Sequence, residues 1–115
     1  MVRQVIALPA DEPVFFYPYM PVVPFVTRRE QVSRFDVFLP HYMSETQYES
    51  AARDVTKHAK WVVYDRLMTN PRYIRQIYPK MPETLPPEFR AMEMLLSNKY
   101  VTVWSNQRYE IRRAR

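Results

Sequence analysis

The run Val14-Phe15-Phe16-Tyr17, which Pro18 ends, decides the fold class of this chain. All four residues are apolar or aromatic, so the run lacks the polar alternation of a strand with one face in water. A short continuous run of this kind is typical of a strand that is buried on both faces. Two further strands are predicted at 34–39, which Pro40 ends, and at the equally apolar run 61–64.

Helical patterns separate these strands. Ser44 begins the clearest helix, because Ser44 and Gln47 form the Ser-x-x-Gln capping box and small or apolar residues then recur on one helical face. Asn70-Pro71 is an N-cap followed by proline at the first helical position. Further helices are predicted at 1–8 (the end of a truncated helix), 20–29, 71–78 and 88–97.

The end of the chain predicts a β-hairpin. Residues 100–104 and 109–113 alternate between apolar and polar side chains, and 105–108 form the turn. Asn98 is expected to adopt the left-handed conformation that glycine usually takes after a helix.

This order of elements favours an α/β fold. Apolar strands that alternate with helices imply a parallel sheet covered on both faces. Right-handed crossovers place the first strand between the second and the third. We therefore expect a single domain over residues 1–115, a small three-layer Rossmann-like domain of parallel strands with a C-terminal antiparallel hairpin.

The composition excludes several kinds of site. The chain has no glycine, so Gly-rich phosphate loops and dinucleotide-binding turns are ruled out. It has no cysteine, which excludes disulfides and thiol nucleophiles. With two histidines a His-rich metal site is not expected, and no cofactor is predicted. The lack of glycine also fits an engineered chain.

The net charge of +5 suggests an anionic partner such as a phospholipid, a phosphate-bearing ligand or nucleic acid. One basic cluster is at the end of the chain, in Arg112, Arg113 and Arg115. A second contains Arg28 and Arg29. The alternatives are a solvated basic terminus and, for the second cluster, pairing with Glu30 and Asp36. Nucleic acid is not favoured, because the aromatic residues fall at strand and core positions. No apolar run reaches the roughly 18 residues of a membrane span.

Polar residues follow each predicted parallel strand, where α/β proteins bind ligands. They are Tyr19 after the first strand, His41 and Tyr42 after the second, and Asp65 and Arg66 after the third. Arg66 is a candidate anion ligand, and His41 with Asp65 a candidate acid–base pair. The alternative is that Asp65 caps a local turn or pairs with Arg66, while His41 is solvated.

Several segments resemble, in their order and spacing, the soluble C-terminal domain of bacterial GT-C-type membrane glycosyltransferases. They are Asp11–Pro21, Phe25–Arg29, Ser33–Asp36, Trp61–Asp65 and Tyr109–Arg113. The family commonly has glycine where His41 stands and within the segment that holds Arg28-Arg29, so those loops are expected to differ.

The resemblance implies a function without catalysis in this chain. The family uses polyprenyl-phosphate sugars, and its catalytic acid lies in the membrane part. The implied role is an accessory domain on the extracytoplasmic face, whose partners are that membrane part and an anionic lipid or lipid-linked sugar phosphate. A stand-alone basic binding module and a small enzyme centred on His41 and Asp65 stay open.

Overall fold

Four strands and five helices form the secondary structure of the described residues, which are 1–33, 35, 38–39, 43–79 and 87–115 of this computed structural model. In chain order they are α1 (Val2–Ile6), β1 (Val14–Tyr17), α2 (Val22–Thr27), α3 (Glu45–His58), β2 (Trp61–Asp65), α4 (Pro71–Ile77), α5 (Pro87–Asn98), β3 (Tyr100–Ser105) and β4 (Tyr109–Ala114).

The sheet is mixed and has the order β1-β2-β4-β3. β1 and β2 are parallel, with Val14 opposite Trp61. β4 lies antiparallel between β2 and β3, so the hairpin extends the sheet beyond β2. The α/β class, the strands at 14–17 and 61–64 and the C-terminal hairpin are confirmed.

The predicted strand at 34–39 stays a prediction. Residues 34, 36 and 37 lie outside the described residues, and Phe35, Phe38 and Leu39 belong to no assigned strand. The central position of the first strand, which depends on that neighbour, is likewise untested. Three described residues nevertheless bond to the outer side of β1. Val32 N–H donates to Val14 O (3.2 Å), and Phe38 N–H donates to Pro18 O (2.8 Å). The Gln31 side chain accepts from Phe16 N–H (2.9 Å) and donates to Phe16 O (2.8 Å).

The first face of the sheet carries an aromatic-rich cluster beneath α3 and α5. Alternate residues of β1 and β2 point into it, and Phe15 meets Phe38 edge to face with ring centroids 5.1 Å apart. Burial of these rings supplies the main hydrophobic stabilisation of this face. The buried members are Phe15, Tyr17, Phe38, Tyr48, Ala51, Val55, Ala59, Val62, Tyr64, Phe89, Met92, Leu96 and Tyr100.

The second face carries a smaller cluster beneath α1 and α2. Val23 of α2 and both tryptophans pack against its margin. The buried members are Val5, Val14, Phe16, Met20, Val63 and Ile111. The two clusters explain why β1 and residues 61–64 of β2 are apolar or aromatic at every position, because their successive side chains enter opposite clusters.

The capping signals at Ser44 and Asn70 are confirmed. Ser44 Oγ accepts a hydrogen bond from Gln47 N–H, and Gln47 Oε1 accepts one from Ser44 N–H. The Asn70 side chain caps α4 by accepting from Arg72 N–H, with Pro71 at the first helical position.

The left-handed conformation predicted for Asn98 is wrong. Asn98 is the last residue of α5, and Lys99 N–H still bonds to Leu95 O at 2.9 Å, so the chain enters β3 without a left-handed residue. Among the described residues Arg28 alone has a positive φ, with φ 56° and ψ 37° after α2. Arg29 N–H bonds to Pro24 O there, so an arginine occupies the helix-end position that usually holds glycine.

Candidate functional site

Asp65, at the carboxyl end of β2, is 1% exposed, and its carboxylate is hydrogen-bonded to other residues of the chain. Its Oδ1 accepts from the backbone N–H groups of Leu67 and Met68, at 3.0 and 3.4 Å. Arg108 binds both carboxylate oxygens, through Nε at 3.0 Å and Nη2 at 2.8 Å. The hydrogen bonds to Asp65 raise the pKa of the Arg108 guanidinium. The carboxylate therefore joins the turn after β2 to the hairpin turn.

Of the two local roles that the sequence left open for Asp65, the structure shows the turn cap, and the carboxylate pairs with Arg108 in place of Arg66. β2 and β4 are antiparallel with Asp65 opposite Tyr109, which brings Arg108 to the carboxylate. Arg66 is exposed, and its backbone N–H bonds to Arg108 O at 2.9 Å.

The rest of the predicted strand-end group comes together in part. Tyr19 lies beyond the carboxyl end of β1, at the same end of the sheet as Asp65, and is 37% exposed. No hydrogen bond among the described residues joins its hydroxyl to Asp65 or Arg66. His41 and Tyr42 lie outside the described residues, so their place in this group stays a prediction.

Arg28 and Arg29 have different surroundings although they are adjacent. The Arg29 guanidinium donates to Pro9 O at 2.8 Å, to Glu12 O at 3.5 Å and to Leu8 O. The Arg29 guanidinium thus binds backbone carbonyls of the loop before β1, and these bonds take the place of the expected pairing with Glu30.

Arg28 is exposed, and its side chain has no hydrogen bond or ion pair with another described residue. It lines an open cleft of about 810 Å³ together with Phe25, Val26 and Glu30. The cleft thus presents an available guanidinium beside apolar side chains.

The three C-terminal arginines divide between the fold and the surface. The side chain of Arg112 is 12% exposed, although the sequence predicts it as part of a basic anion-binding cluster or, alternatively, of a solvated terminus. It donates to Leu96 O at 3.1 Å, pairs with Glu110 at 2.9 Å and lies 4.1 Å from the Tyr64 ring centroid. Its β4 position points toward α5, which requires these internal partners.

Arg113 and Arg115 are exposed. Arg113 lies on the opposite side of β4, with its guanidinium 5.9 Å from the centroid of the Trp61 ring. These two side chains form the accessible part of the predicted basic tail.

Sequence reasoning missed a polar group between β2 and α5. The Tyr64 hydroxyl donates to Glu93 Oε2 at 2.7 Å, with Arg112 beside the same ring. Burial raises the pKa of Glu93, although the Tyr64 hydrogen bond and Arg112 oppose the shift. Burial also raises the pKa of Tyr17, whose hydroxyl has no hydrogen-bond partner among the described residues. The signal for Glu93 was its place four residues after Phe89, within the apolar face of α5.

The outward face of α2 was also missed. Val22, Phe25 and Val26 are 64%, 84% and 50% exposed. Their i, i+3, i+4 spacing was visible in the sequence, but Val23 and Thr27 give α2 a second, inward face. The described residues of α2 are therefore apolar toward both the sheet and the solvent.

The described residues contain no cluster of three His, Cys, Asp or Glu side chains that would hold a metal ion. No helix within them is long and apolar enough to cross a bilayer. Comparisons with protein-family models, curated proteins and solved structures gave no match.

Proposed function

We propose that this chain is a non-catalytic accessory domain of a GT-C-type membrane glycosyltransferase, with a small three-layer Rossmann-like fold. In this proposal it lies on the extracytoplasmic face of a bacterial membrane, beside the membrane part, and docks the lipid-linked sugar donor or acceptor. The ordered series of resembling segments motivates the family, and the helices on both faces of the mixed sheet are compatible with the layered fold.

The observation that carries the docking role is the cleft at Arg28. A polyprenyl-phosphate sugar combines an anion with an apolar chain, and the cleft offers an unpaired guanidinium beside Phe25 and Val26. Its volume of about 810 Å³ lies in the range of small-molecule sites. Glu30, at the same cleft, would favour a ligand that also carries hydroxyl donors, such as a sugar.

The state of Asp65 supports a role without catalysis. An acid or base must reach the reacting group with a free oxygen, and both oxygens of Asp65 are bound by Arg108 in a buried site. This arrangement also speaks against the small enzyme centred on His41 and Asp65.

Binding of farnesyl phosphate to the purified chain, followed by NMR chemical shifts, tests the docking role. We expect shifts around Arg28 with farnesyl phosphate, and much weaker ones with farnesol, which lacks the phosphate. Arg28→Gln should weaken binding about tenfold, since a hydrogen bond to a charged group contributes about 1.5–3 kcal/mol. Arg90→Gln, an exposed change on α5, is the matched control.

Two results would overturn the proposal. One is equal binding of farnesyl phosphate by the Arg28→Gln variant and the unchanged chain. The other is release of sugar from a polyprenyl-phosphate sugar by the purified chain, because the proposal assigns it no catalysis. The reading frame upstream of Met1 provides a separate check, since the proposal expects it to encode membrane helices.

A stand-alone module for anionic surfaces is the second candidate, and the exposure of Arg113 and Arg115 favours it. Attraction of this kind decays within a Debye length of about 8 Å at physiological salt. Replacing both arginines with glutamine should then remove salt-sensitive binding to acidic vesicles. Retained binding in that variant would show that Arg113 and Arg115 do not bind the vesicles and are part of a solvated terminus.

A further inference from the structure

The short helix α2 is apolar on two opposite faces. Val23 packs into the second cluster, and the buried Thr27 donates to Val23 O at 2.7 Å, which defines the inward face. Val22, Phe25 and Val26 form the outward face. A helix that is hydrophobic all round normally has its outer side covered by protein or lipid.

Basic groups lie beside this outward face, in the cleft that Phe25 and Val26 line. α1 packs against α2, and its exposed residues Arg3 and Ile6 line a separate cleft with Val23, on the inward side of α2. Arg28 follows α2 directly, and the left-handed turn there projects the chain away from the helix axis. Glu30 is the acidic residue at the cleft that Phe25 lines. The lining of this cleft carries two guanidinium groups, Arg28 and Arg29, against that one carboxylate, within a chain of net charge +5. Asp11 and Glu12 line a second cleft together with the same two arginines.

We propose that the outward face of α2 seats on an acidic bilayer surface, with Phe25 inserted at the boundary between headgroups and acyl chains and Arg28 against lipid phosphates. The inference rests on the proposed function, which places a membrane beside the domain, and adds the surface and orientation of contact.

The shape and charge of the surface favour a bilayer over a protein partner. Phe25, at 84% exposed, projects from a convex helix, and a fluid bilayer accepts a projecting ring without a matching pocket. The neighbouring arginines complement acidic headgroups. A patch this small requires both contributions, because insertion of a few apolar groups alone is weak and reversible. Binding should therefore need acidic lipid and weaken with salt.

Co-sedimentation with vesicles tests this surface. We expect the chain to bind vesicles of phosphatidylcholine mixed with phosphatidylglycerol at low salt, and to bind pure phosphatidylcholine weakly. Phe25→Ser should lower the partition coefficient about tenfold, the effect of removing most of one large apolar side chain from the contact. Met94→Ser is the matched control, because Met94 is a 63% exposed apolar residue on α5. It should bind as the unchanged chain does.

Phe25→Trp measures insertion directly. Its fluorescence should be quenched by lipids brominated in their acyl chains, beyond the quenching of the unchanged chain with its own two tryptophans. Thermal unfolding of each variant checks that folding is intact, as expected for a residue so exposed.

Equal binding by the Phe25→Ser variant would overturn the proposal, and so would the absence of extra quenching in Phe25→Trp. Dimerisation that Phe25→Ser abolishes, seen by sedimentation velocity, would instead assign the face to a second copy of the chain. These vesicles contain no polyprenyl lipid, and farnesyl phosphate binding is measured without vesicles. Failure of membrane docking and failure of the proposed function are therefore distinguishable.

Discussion

The face of the sheet beneath α3 and α5 differs from the face beneath α1 and α2 in how completely it is covered. Helices of 14 and 12 residues cover the first face and enclose a network of aromatic rings. Helices of 5 and 6 residues cover the second face. The smaller cluster there lies beneath α2, whose outward face is also apolar. The difference indicates that the first face supplies most of the stability, whereas the helices of the second face leave an apolar surface exposed to solvent.

Phe15 and Phe16 give the sharpest test of this difference, because they are adjacent, both almost fully buried and on opposite faces. We expect Phe15→Ala to cost about 4 kcal/mol, within the range for buried phenylalanine, and Phe16→Ala to cost about 1 kcal/mol less. The short helices of the second face are able to move into the space left by Phe16. Urea unfolding of both variants measures the two losses, and equal or reversed values would contradict the comparison.

Asp65→Asn tests whether the polar end of β2 is structural. We expect a loss of about 2 kcal/mol, less than for a fully buried ion pair because the Arg108 side chain is 44% exposed. Arg66→Gln, at the exposed neighbouring position, should change stability by less than about 0.5 kcal/mol. Unchanged stability in Asp65→Asn would show that the fold does not need this carboxylate, and Asp65 would again be a candidate for ligand binding.

Arg28→Gly should raise the free energy of unfolding by about 1 kcal/mol, because the left-handed conformation costs about that much for a residue with a β-carbon. Asn98→Gly is the control of opposite expectation, since Asn98 is a helical residue and glycine weakens helices. Thermal unfolding of both variants checks the prediction. A loss of stability in Arg28→Gly would mean that side-chain contacts of Arg28 outweigh its backbone cost.

Glu93→Gln should have the smallest effect and should depend on pH. Burial raises the pKa of Glu93 above its ordinary 4.5, so the folded state binds this proton more tightly than the unfolded chain. The contribution of Glu93 to stability is therefore complete below 4.5 and is lost as the pH rises through the folded value. Relative to the unchanged chain, the variant should gain stability between acidic and neutral pH. Unfolding measured across that range, with the exposed Glu49→Gln as control, tests the sign.

Local sequence signals predicted the elements whose formation depends on neighbouring residues. The capping box at Ser44 and the apolar run at 14–17 are of this kind, and both are confirmed. The conformation predicted for Asn98 is wrong because a helix end that leads straight into a strand needs no left-handed residue. Arg28 holds that conformation instead, and no local signal distinguished it from the arginine that follows.

Long-range register determined the parts of the candidate site that the sequence did not reveal. The partner of Asp65 is Arg108, 43 residues away, because β2 and β4 pair with Asp65 opposite Tyr109. Alternation in β4 predicted two sides for the strand. Which of the two sides faces the helices depended on where α5 lies, and Glu110 shares the side of Arg112 because it is two residues away on the same strand.

The Gln31 side chain has a consequence for how the chain behaves when concentrated. Its amide gives Phe16 the two hydrogen bonds that a neighbouring strand would give, while Val14 O and Pro18 O are taken by backbone groups. Intermolecular strand addition at β1 would have to displace these bonds, so aggregation through this side is disfavoured. Edge-to-edge pairing is left to β3, where Val101 and Val103 are exposed and a bulge between Thr102 and Trp104 interrupts the template. Resistance to fibril-like assembly thus depends on the Gln31 side chain and the two backbone hydrogen bonds along β1, and on the bulge in β3.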